Sequence, residues 1–282
     1  MCIADSHNDF LTKLKRYEYE WYINEQVKNG LKVMSCAVFT NGLKDPISFI
    51  KQASKFLDKY NNENKQTKLL LSIEDMYFVD LLNISEIFKL KPISCGLTWN
   101  NENTLAGGVL SEKGVSQKSK NIIKRLEEKG ILIDTAHLNK RSFFDVCEIT
   151  SKPIYNSHSC LNSLNKNFRN LDDEQIDILV KSNGYLGICF VGKFLTREKV
   201  RVKDVVKHIL YFIEKYGYKN IGIGSDFNGT DDLPDYLKSY ADFKWLRNEF
   251  KKMGVDDNII DCILYKNFVE FLMRNSSYNF LK

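Results

Sequence analysis

Short apolar runs alternate with longer amphipathic stretches along the whole chain, at a repeat of roughly 30 residues. Several runs, such as VMSCAVF, LLLSI and YLGICFV, are apolar at consecutive rather than alternate positions. Strands covered by helices carry this pattern, because neither face of a buried parallel sheet meets water. The runs predict eight strands, at residues 2–8, 32–40, 67–73, 92–98, 131–136, 153–157, 185–191 and 220–225.

Amphipathic stretches between the runs predict eight helices, several with boundary signals of their own. The helices are predicted at residues 45–61, 78–89, 115–129, 139–150, 172–182, 201–217, 241–253 and 256–275. Helix-ending glycines are Gly130, Gly184, Gly217 and Gly254, and candidate N-caps are Ser116 and Asp172. The alternation predicts the α/β class and a (β/α)8 TIM barrel.

One domain over residues 1–282 suits the chain better than two, since no Ser- or Pro-rich linker divides it. A doubly wound open sheet would give a similar succession of elements. Its nucleotide-binding signal is absent, because the segment after the first strand, SHNDFLTKL, contains no glycine. We therefore expect a closed barrel.

Composition predicts a cytoplasmic protein without nucleic-acid or membrane partners. The chain carries 41 basic and 36 acidic residues, which alternate on faces such as KRLEEKG and form no basic stripe. The seven cysteines are an odd number without a CxxC pair, which predicts reduced thiols. The sequence shows neither a secretory leader nor an apolar run of about 18 residues.

Three of the four histidines lie at the ends of predicted strands. His7, His137 and His158 lie in the segments CIADSHND, ILIDTAH and PIYNSHS. In a parallel barrel all strand carboxyl ends open on one face, so these side chains are expected to meet there. His208 lies within the helical pattern VVKHILYFIEKYG and is expected to be structural.

Three carboxylates follow predicted strands at the same face. Asp9 lies two residues after His7 and would share its side of an extended chain. Glu74 ends the third strand, and Asp226 follows the eighth, beyond glycines that let the backbone approach closely. Imidazole and carboxylate groups suit zinc or a similar divalent ion. Two such ions about 3.5–4 Å apart, bridged by Glu74, would form a two-metal hydrolase site.

Two further aspartates at strand ends, Asp75 and Asp134, have a more ordinary explanation. An acidic residue that follows a strand commonly caps the next helix or lies in a solvated loop. We expect that role for both.

The chain resembles the membrane dipeptidases, also called renal dipeptidases, which are binuclear zinc peptidases with a (β/α)8 barrel. The resemblance is carried by SHNDF, LSIED, IDTAH, NSHS and GSDFNG, which run in this order from the first strand to beyond the eighth. The spacing of His137, His158 and Arg169 also fits the family pattern. The resemblance implies hydrolysis of free dipeptides and leaves a homodimer open.

The resemblance also implies a role for each candidate residue around two divalent ions, expected to be zinc. Arg169 would clamp the C-terminal carboxylate of the substrate with its two-pronged guanidinium. Asp226 would be the general base that takes a proton from the attacking water and returns it to the leaving amine. One ion would be held by His7 and Asp9 and the other by His137 and His158, with Glu74 bridging.

Two features depart from the family. Trp99, in GLTWNNENTLAGG, stands where the best-known members have a histidine that helps bind the substrate's carbonyl oxygen. An indole offers one N–H donor, so stabilisation of the oxyanion would rest on the metals or on Asn100, Asn101 or Asn103. Trp99 and Asn100 are the predicted substrate contacts. The segment FLMRNSSYNFLK has no hydrophobic anchor tail, so membrane attachment is not expected.

Two other functions stay open at this point. A related barrel hydrolase could act on another amide, a lactone or a phosphoester, although the best-known such enzymes open with HxH and often bridge with a carboxylated lysine. An inactive metal-binding homologue is supported by Trp99 and opposed by Asp226, because a binder needs no proton shuttle. The side-chain preference is unassigned, since it depends on loops 99–114 and 228–240. The native metal is unassigned because the ligand types do not distinguish zinc from manganese or cobalt.

Overall fold

Eight parallel strands, each hydrogen-bonded to the next in chain order, form one sheet in the computed structural model, which describes residues 1–64 and 66–276. All eight predicted strands are confirmed, although the fourth, fifth, seventh and eighth are clearly shorter than predicted. The strands are β1 (Ile3–Asn8), β2 (Leu31–Phe39), β3 (Lys68–Glu74), β4 (Ser94–Gly96), β5 (Leu132–Asp134), β6 (Tyr155–Ser159), β7 (Tyr185–Ile188) and β8 (Ile221–Ile223).

β1 and β8 lie side by side and close the sheet into a barrel. The amide of Asp9 donates to the carbonyl of Phe227 at 3.0 Å, and the amide of Asp226 donates to the carbonyl of His7 at 3.2 Å. Asn8 and Phe227 form a parallel bridge between these contacts. The predicted (β/α)8 barrel is therefore confirmed, with all strand carboxyl ends on one face.

Helices connect the strands and cover the barrel. They are α1 (Phe10–Lys13), α2 (Tyr19–Lys28), α3 (Pro46–Glu63), α4 (Ile84–Leu90), α5 (Gln117–Glu128), α6 (Lys140–Ile149), α7 (Asp173–Lys181), α8 (Gly192–Leu195), α9 (Val202–Tyr216), α10 (Phe243–Lys252), α11 (Asp257–Asp261) and α12 (Asn267–Asn275). Each predicted helix is present, but α4 begins six residues later than the predicted position 78. The predicted helix 256–275 is divided by a π-helical turn at Cys262–Lys266. The helices α1, α2 and α8 have no clear signal in the apolar pattern.

Helix boundaries follow the predicted caps with one exception. The side chains of Ser116 and Asp172 accept hydrogen bonds from amides in the first turns of α5 and α7. Gly184 does not end α7, because Asn183 takes the left-handed conformation there, with φ 55°. Gly184 instead allows a close approach, since a side-chain carbon would overlap the carbonyl of Ile154. The other three helix-ending glycines have positive φ as predicted: Gly130, Gly217 and Gly254.

The helix α12 seals the amino end of the barrel with aromatic side chains. Phe268 and Phe271 pack against Tyr155 and Tyr185, and the rings of Phe271 and Tyr155 stack at 5.6 Å and 15°. Burying each ring contributes about 1.5–3 kcal/mol. The same cluster contains Leu272 and the residues at the amino ends of the first five strands: Ala4, Val33, Leu70, Ile93 and Leu132.

Two further observations concern the helices and the cysteines of the described residues. No helix among residues 1–64 and 66–276 has the length and apolar character that crossing a membrane requires. All seven cysteines are free thiols. The end of the predicted domain and of its tail, residues 277–282, lies outside the described residues.

Candidate metal centre

The five predicted ligands form one buried chain of contacts at the carboxyl end of the barrel. His7 Nε2 lies 3.1 Å from Asp9 Oδ2 and 3.9 Å from Glu74 Oε2. The other oxygen, Glu74 Oε1, lies 2.7 Å from His137 Nε2. That nitrogen lies 2.9 Å from His158 Nε2. The structure therefore brings together side chains from four different strand ends and the loop after β1.

Bulges in β1 and β6 turn two of these histidines toward the centre. Three steps along β1, from Asp5 to Asn8, match only two steps along β2. Three steps along β6, from Asn156 to Ser159, likewise match two steps along β7. His7 and His158 lie within these bulges, which re-aim side chains that a regular strand would direct elsewhere.

Glycines on β7 and beyond β8 make room for the bulge in β6. A side-chain carbon at Gly187 or Gly224 would overlap the carbonyl oxygen of Ser157. That carbonyl also accepts a hydrogen bond from Ser6 Oγ at 2.6 Å. Gly224 therefore permits the close backbone approach that the sequence predicts before Asp226.

His137 is held in a left-handed conformation with its Nδ1 against an amide oxygen. Its φ is 67°, and Nδ1 lies 2.9 Å from Asn100 Oδ1. Because an amide oxygen only accepts, Nδ1 carries the proton and Nε2 presents a lone pair. On the neighbouring strand, His158 Nδ1 lies 2.8 Å from Ser157 Oγ. Both Nε2 atoms thus face the centre.

Asp226 joins the group beside Asp9. One oxygen of each carboxylate lies within 4.8 Å of the other and of a ring nitrogen of His7. A side-chain carbon at Gly229 would overlap both carboxylates, so this glycine provides the space in which they converge. Asp9 has already left the strand, with φ −99° and ψ 16°. Asp9 and His7 therefore do face the same side, 3.1 Å apart, but they meet through the turn into α1 and not along an extended strand.

Burial and neighbouring charges move the pKa values of these groups apart. Burial disfavours the charged form of His7, but the carboxylates of Asp9, Glu74 and Asp226 together outweigh it, and the pKa of His7 is raised to about 10. Burial, assisted by the charge of Arg169, lowers the pKa of His137 to about 4. Burial raises the pKa of Asp226 well above its ordinary value, and the Asp9 carboxylate adds to the shift. Such divergence within one cleft is typical of catalytic sites.

Arg169 is buried against the two histidines of β5 and β6. Its Nη2 donates to the carbonyl of His158 at 3.2 Å and lies 3.3 Å from His137 Nε2. The ring of Phe194 lies 5.4 Å from the guanidinium carbon. Arg169 Nε is buried without a hydrogen-bond partner among the described residues. A charged fork with an unused donor therefore stands at the edge of the centre.

A cavity of about 340 Å³ opens onto these residues. Phe39 and Trp99 form an aromatic wall, with ring centroids 5.2 Å apart. The Trp99 ring also lies 5.7 Å from that of His137. Lys13 and Lys193 line the cavity as well. Phe39 could have been found from its place at the end of β2, whereas the two lysines carry no signal in the sequence.

Two aspartates expected to cap helices or to lie in solvated loops are buried instead. Asp75 Oδ1 accepts a hydrogen bond from Asn103 Nδ2 at 2.9 Å. Asp134 Oδ1 accepts from the amides of Ala136 and Ser157, both at 3.0 Å. The prediction is wrong for both, because each carboxylate finds donors on a neighbouring segment. The amide of Asn103, offered above for the oxyanion, is thereby engaged elsewhere.

The fourth histidine, His208, is structural as predicted. Its Nδ1 accepts from the amide of Leu161 at 3.1 Å, and its Nε2 donates to the carbonyl of Leu195 at 3.0 Å. Both ring nitrogens are therefore used by the backbone. His208 joins loops on the outside of the barrel and takes no part in the centre.

The donor set fits divalent metal ions. His7 Nε2 is buried and lies 3.1 Å from Asp9 Oδ2 without the geometry of a hydrogen bond. Imidazole lone pairs and carboxylate oxygens that face one another repel unless a cation lies between them. Two groups of potential ligand atoms each lie within 4.8 Å of one another: His7 with Glu74 and His158, and His7 with Asp9 and Asp226.

Comparison with known proteins decides the family. The family model described as membrane dipeptidase, peptidase family M19, matches residues 10–277. The chain belongs to this family. It is therefore a metal-dependent dipeptidase, as the resemblance of its motifs predicts.

Relatives of this dipeptidase agree with the barrel. An uncharacterised dipeptidase of Schizosaccharomyces pombe is 24% identical over 300 aligned positions, which cover 86% of this chain and 72% of that protein. A metallopeptidase from Rhodobacter sphaeroides, liganded with a phosphinate mimic of L-Ala-D-Ala, has a TM-score of 0.85 at 17% identity and covers 98% of this chain and 99% of its own. The M19 dipeptidase AC has a TM-score of 0.86 at 17% identity, with 99% of both chains covered. At these identities the two structures show the fold.

Proposed function

We propose that this dipeptidase hydrolyses free dipeptides at two divalent metal ions, expected to be zinc. The observation that carries the proposal is the convergence of three histidines and three carboxylates at one end of the barrel. A single tetrahedral zinc ion takes only about four ligands. Six candidate groups around one centre therefore favour two ions over one.

Glu74 suits a position shared by both ions. Its Oε2 lies toward His7 at 3.9 Å, and its Oε1 lies toward His137 at 2.7 Å. When bound, the ions supply Lewis acidity to the peptide carbonyl and to the attacking water. The protein's part is to hold the two ligand sets at a fixed separation. In this assignment His7 and Asp9 hold one ion, and His137 and His158 hold the other.

Asp226 is proposed as the group that moves the proton. Its carboxylate lines the cavity beside Asp9, within reach of a substrate. It would accept a proton from the attacking water and return it to the nitrogen of the leaving amine. The turn that carries it is held to β1, because its amide donates to the carbonyl of His7.

Arg169 is proposed to bind the C-terminal carboxylate of the substrate. A guanidinium pairs with a carboxylate through two parallel hydrogen bonds, and the unused Nε supplies one of the donors. The cavity, about 340 Å³, lies at the lower end of the range for small-molecule sites. Anchoring one end of the substrate in so small a space favours dipeptides over longer peptides.

Trp99 and Asn100, which both lie beside His137, are proposed substrate contacts. Both line the cavity. Asn100 Oδ1 is engaged by His137, so only its Nδ2 remains to donate to the substrate's carbonyl oxygen. Trp99 offers its ring as an apolar wall together with Phe39.

We further propose the cytoplasm as the compartment of this chain. Its seven cysteines are free thiols, which suit a reducing environment. The homodimer left open by the resemblance stays a prediction.

Metal content and dipeptide turnover, measured on one preparation, test the proposed function. We expect two divalent ions per chain and hydrolysis of free dipeptides, without hydrolysis of tripeptides or N-acylated dipeptides. The variant Asp226→Asn should lose about 10²–10⁴-fold in kcat. It should keep both ions, because the amide preserves the size of the carboxylate but cannot accept the proton.

Each alternative has its own signature in this experiment. Turnover of a lactone or phosphoester in place of dipeptides would favour a related barrel hydrolase. Two bound ions without any turnover would favour the inactive homologue. Full activity of Asp226→Asn would remove the proton-transfer role from Asp226 and leave the metal site standing.

A further inference from the structure

Asp5 is a fully buried carboxylate that joins β1 to the segment after β8. Its Oδ1 accepts hydrogen bonds from the amide of His7 at 3.1 Å and from the amide of Ser225 at 2.9 Å. Its Oδ2 accepts from the hydroxyls of Ser225 and Tyr240. These bonds end on one predicted ligand, His7, and on the residue immediately before Asp226.

Asp134 makes the same arrangement between β5 and β6. Its Oδ1 accepts from the amide of Ala136, two residues beyond the end of β5, and from the amide of Ser157 on the neighbouring strand. Both bonds are 3.0 Å long. They end on the residues immediately before His137 and His158. Each of these aspartates therefore spans two strands that each carry a predicted site residue.

The bulges explain why a carboxylate is needed at both places. A bulge leaves a backbone N–H without its partner in the strand ladder, and a buried N–H needs an acceptor. The amide of His7 lies in the bulge of β1, and the amide of Ser157 lies in the bulge of β6. Asp5 and Asp134 accept from these two amides. The conformation that aims each histidine inward is thus stabilised by a charge that does not line the cavity.

We propose that Asp5 and Asp134 are positioning residues that separately set the two halves of the metal centre. Asp5 fixes His7 relative to Asp226, and Asp134 fixes His137 relative to His158. The inference rests on the proposed two-ion site. We call these two aspartates the braces. The distinctive consequence is that removing one brace should weaken the binding of one metal ion and leave the binding of the other unchanged.

Titration of the metal-free protein with Zn²⁺ by calorimetry tests this consequence. The variants Asp5→Ala and Asp134→Ala should each weaken one of the two ions by about 10–100-fold, the usual loss when a group that orients a ligand is removed. The asparagine variants keep one oxygen acceptor, so they should lose less than the alanine variants. Should an alanine variant fail to fold, the asparagine variant carries the same test.

Two measurements assign the weakened ion to its half. The variant Asp9→Asn already damages the first half of the centre, formed by His7 and Asp9. In this background Asp5→Ala should not change the affinity for the remaining ion, whereas Asp134→Ala should lower it. Trp99 lies 5.7 Å from His137, so Co²⁺ filling the second half should quench its fluorescence. That quenching should require more Co²⁺ in Asp134→Ala and be unchanged in Asp5→Ala.

Asn267→Ala is the matched control. The buried Asn267 side chain donates to the carbonyl of Ile221 at 2.8 Å and so braces β8 at its other end. This variant should unfold more easily than the wild type but bind both ions with unchanged affinity. An equal loss of metal affinity in Asn267→Ala and in Asp5→Ala would mean that Asp5 affects metal binding only through the overall stability of the fold. That result would overturn the inference.

The remaining outcomes separate the inference from the proposed function. Unchanged affinities in both aspartate variants, or an equal loss of both ions in each, would overturn the separate positioning roles. A wild-type protein that binds two ions but hydrolyses no dipeptide would contradict the proposed function. The same titrations would still test whether Asp5 and Asp134 position the two ligand sets separately. A wild-type protein that binds no ion would overturn both.

Discussion

The two ends of the barrel are built from the same strands but are packed in opposite ways. At the amino end, Tyr155 and Tyr185 stack against Phe268 and Phe271 of α12 in an apolar cluster. At the carboxyl end, the space is filled by buried imidazoles, carboxylates and one guanidinium. The amino end therefore stabilises the fold, and the carboxyl end holds groups whose burial costs stability.

The cost at the carboxyl end can be seen in single atoms. Arg169 Nε is buried without a hydrogen-bond partner among the described residues, and the buried His7 Nε2 has only an ion-pair contact with Asp9, at 3.1 Å. An unpaired buried polar group costs roughly 1–3 kcal/mol. Such atoms persist in a fold whose stability comes from elsewhere, and they are the atoms that a metal ion or a substrate carboxylate would use. The residues that stabilise the fold and those that carry the chemistry are therefore concentrated at opposite ends of the barrel. We expect that a substitution at either end changes one property and leaves the other unchanged.

The largest expected change in stability comes from the aromatic cluster. Phe271→Ala should lower the free energy of unfolding by about 3–5 kcal/mol, because a buried ring leaves a cavity. The kcat of the folded fraction should be unchanged. Chemical denaturation and turnover of the same sample check both statements. Met273→Ala is the control on the same helix, since Met273 is half exposed and should shift stability by less than about 0.5 kcal/mol. A fall in kcat with Phe271→Ala would show that the two ends are coupled.

Removing the guanidinium at the other end should alter binding and leave the fold intact. Arg169→Ala should raise KM for dipeptides by about 10–100-fold, the equivalent of about 1.5–3 kcal/mol for a hydrogen bond to a charged group. The KM for the corresponding C-terminal amides should barely change, because they lack the carboxylate. Arg169→Lys, which keeps the charge without the fork, should fall between the two. Equal effects on acids and amides would contradict the clamp.

The smallest effect should come from His208, a histidine near the carboxyl end that serves only the backbone. Burial lowers the pKa of His208 to about 4, against 6.5 in the unfolded chain. Protons therefore bind the unfolded state first, so the stabilising contribution is present above about pH 6.5 and is lost as pH falls toward 4. Between pH 7 and 5.5 this amounts to about 1 kcal/mol. In His208→Gln the free energy of unfolding should therefore fall by about 1 kcal/mol less between pH 7 and 5.5 than in the wild type. An unchanged slope would mean that His208 is already charged in the folded state.

Much of the architecture could be predicted because its causes are local. Consecutive apolar residues mark several of the parallel strands, and the side chains of Ser116 and Asp172 cap the helices that they precede. The candidate site could be predicted from the rule that strand ends converge on one face. The helix α2 escaped prediction because it buries only three side chains: Tyr19, Ile23 and Gln26.

The bulges and the braces could not be predicted in the same way. Asp5 and Ser225 are 220 positions apart, and nothing in the sequence around Asp5 indicates its partner. Asp134 looks like an ordinary residue after a strand until Ser157, from the next strand, donates to it. Asn100 became an acceptor for His137 in the same way. Each of these roles depends on the register between strands, which is decided only when the barrel closes.

The sequence by itself determined the class of fold, the barrel and the set of residues able to bind metal, because apolar runs and chemically distinctive side chains are properties of short segments. The tertiary structure decided how those residues are aimed. Two bulges, two buried aspartates and the glycines that accommodate them turn the side chains inward, and they act across strands that are distant in the chain. Long-range packing therefore sets the geometry of the centre, while local composition supplies its chemistry.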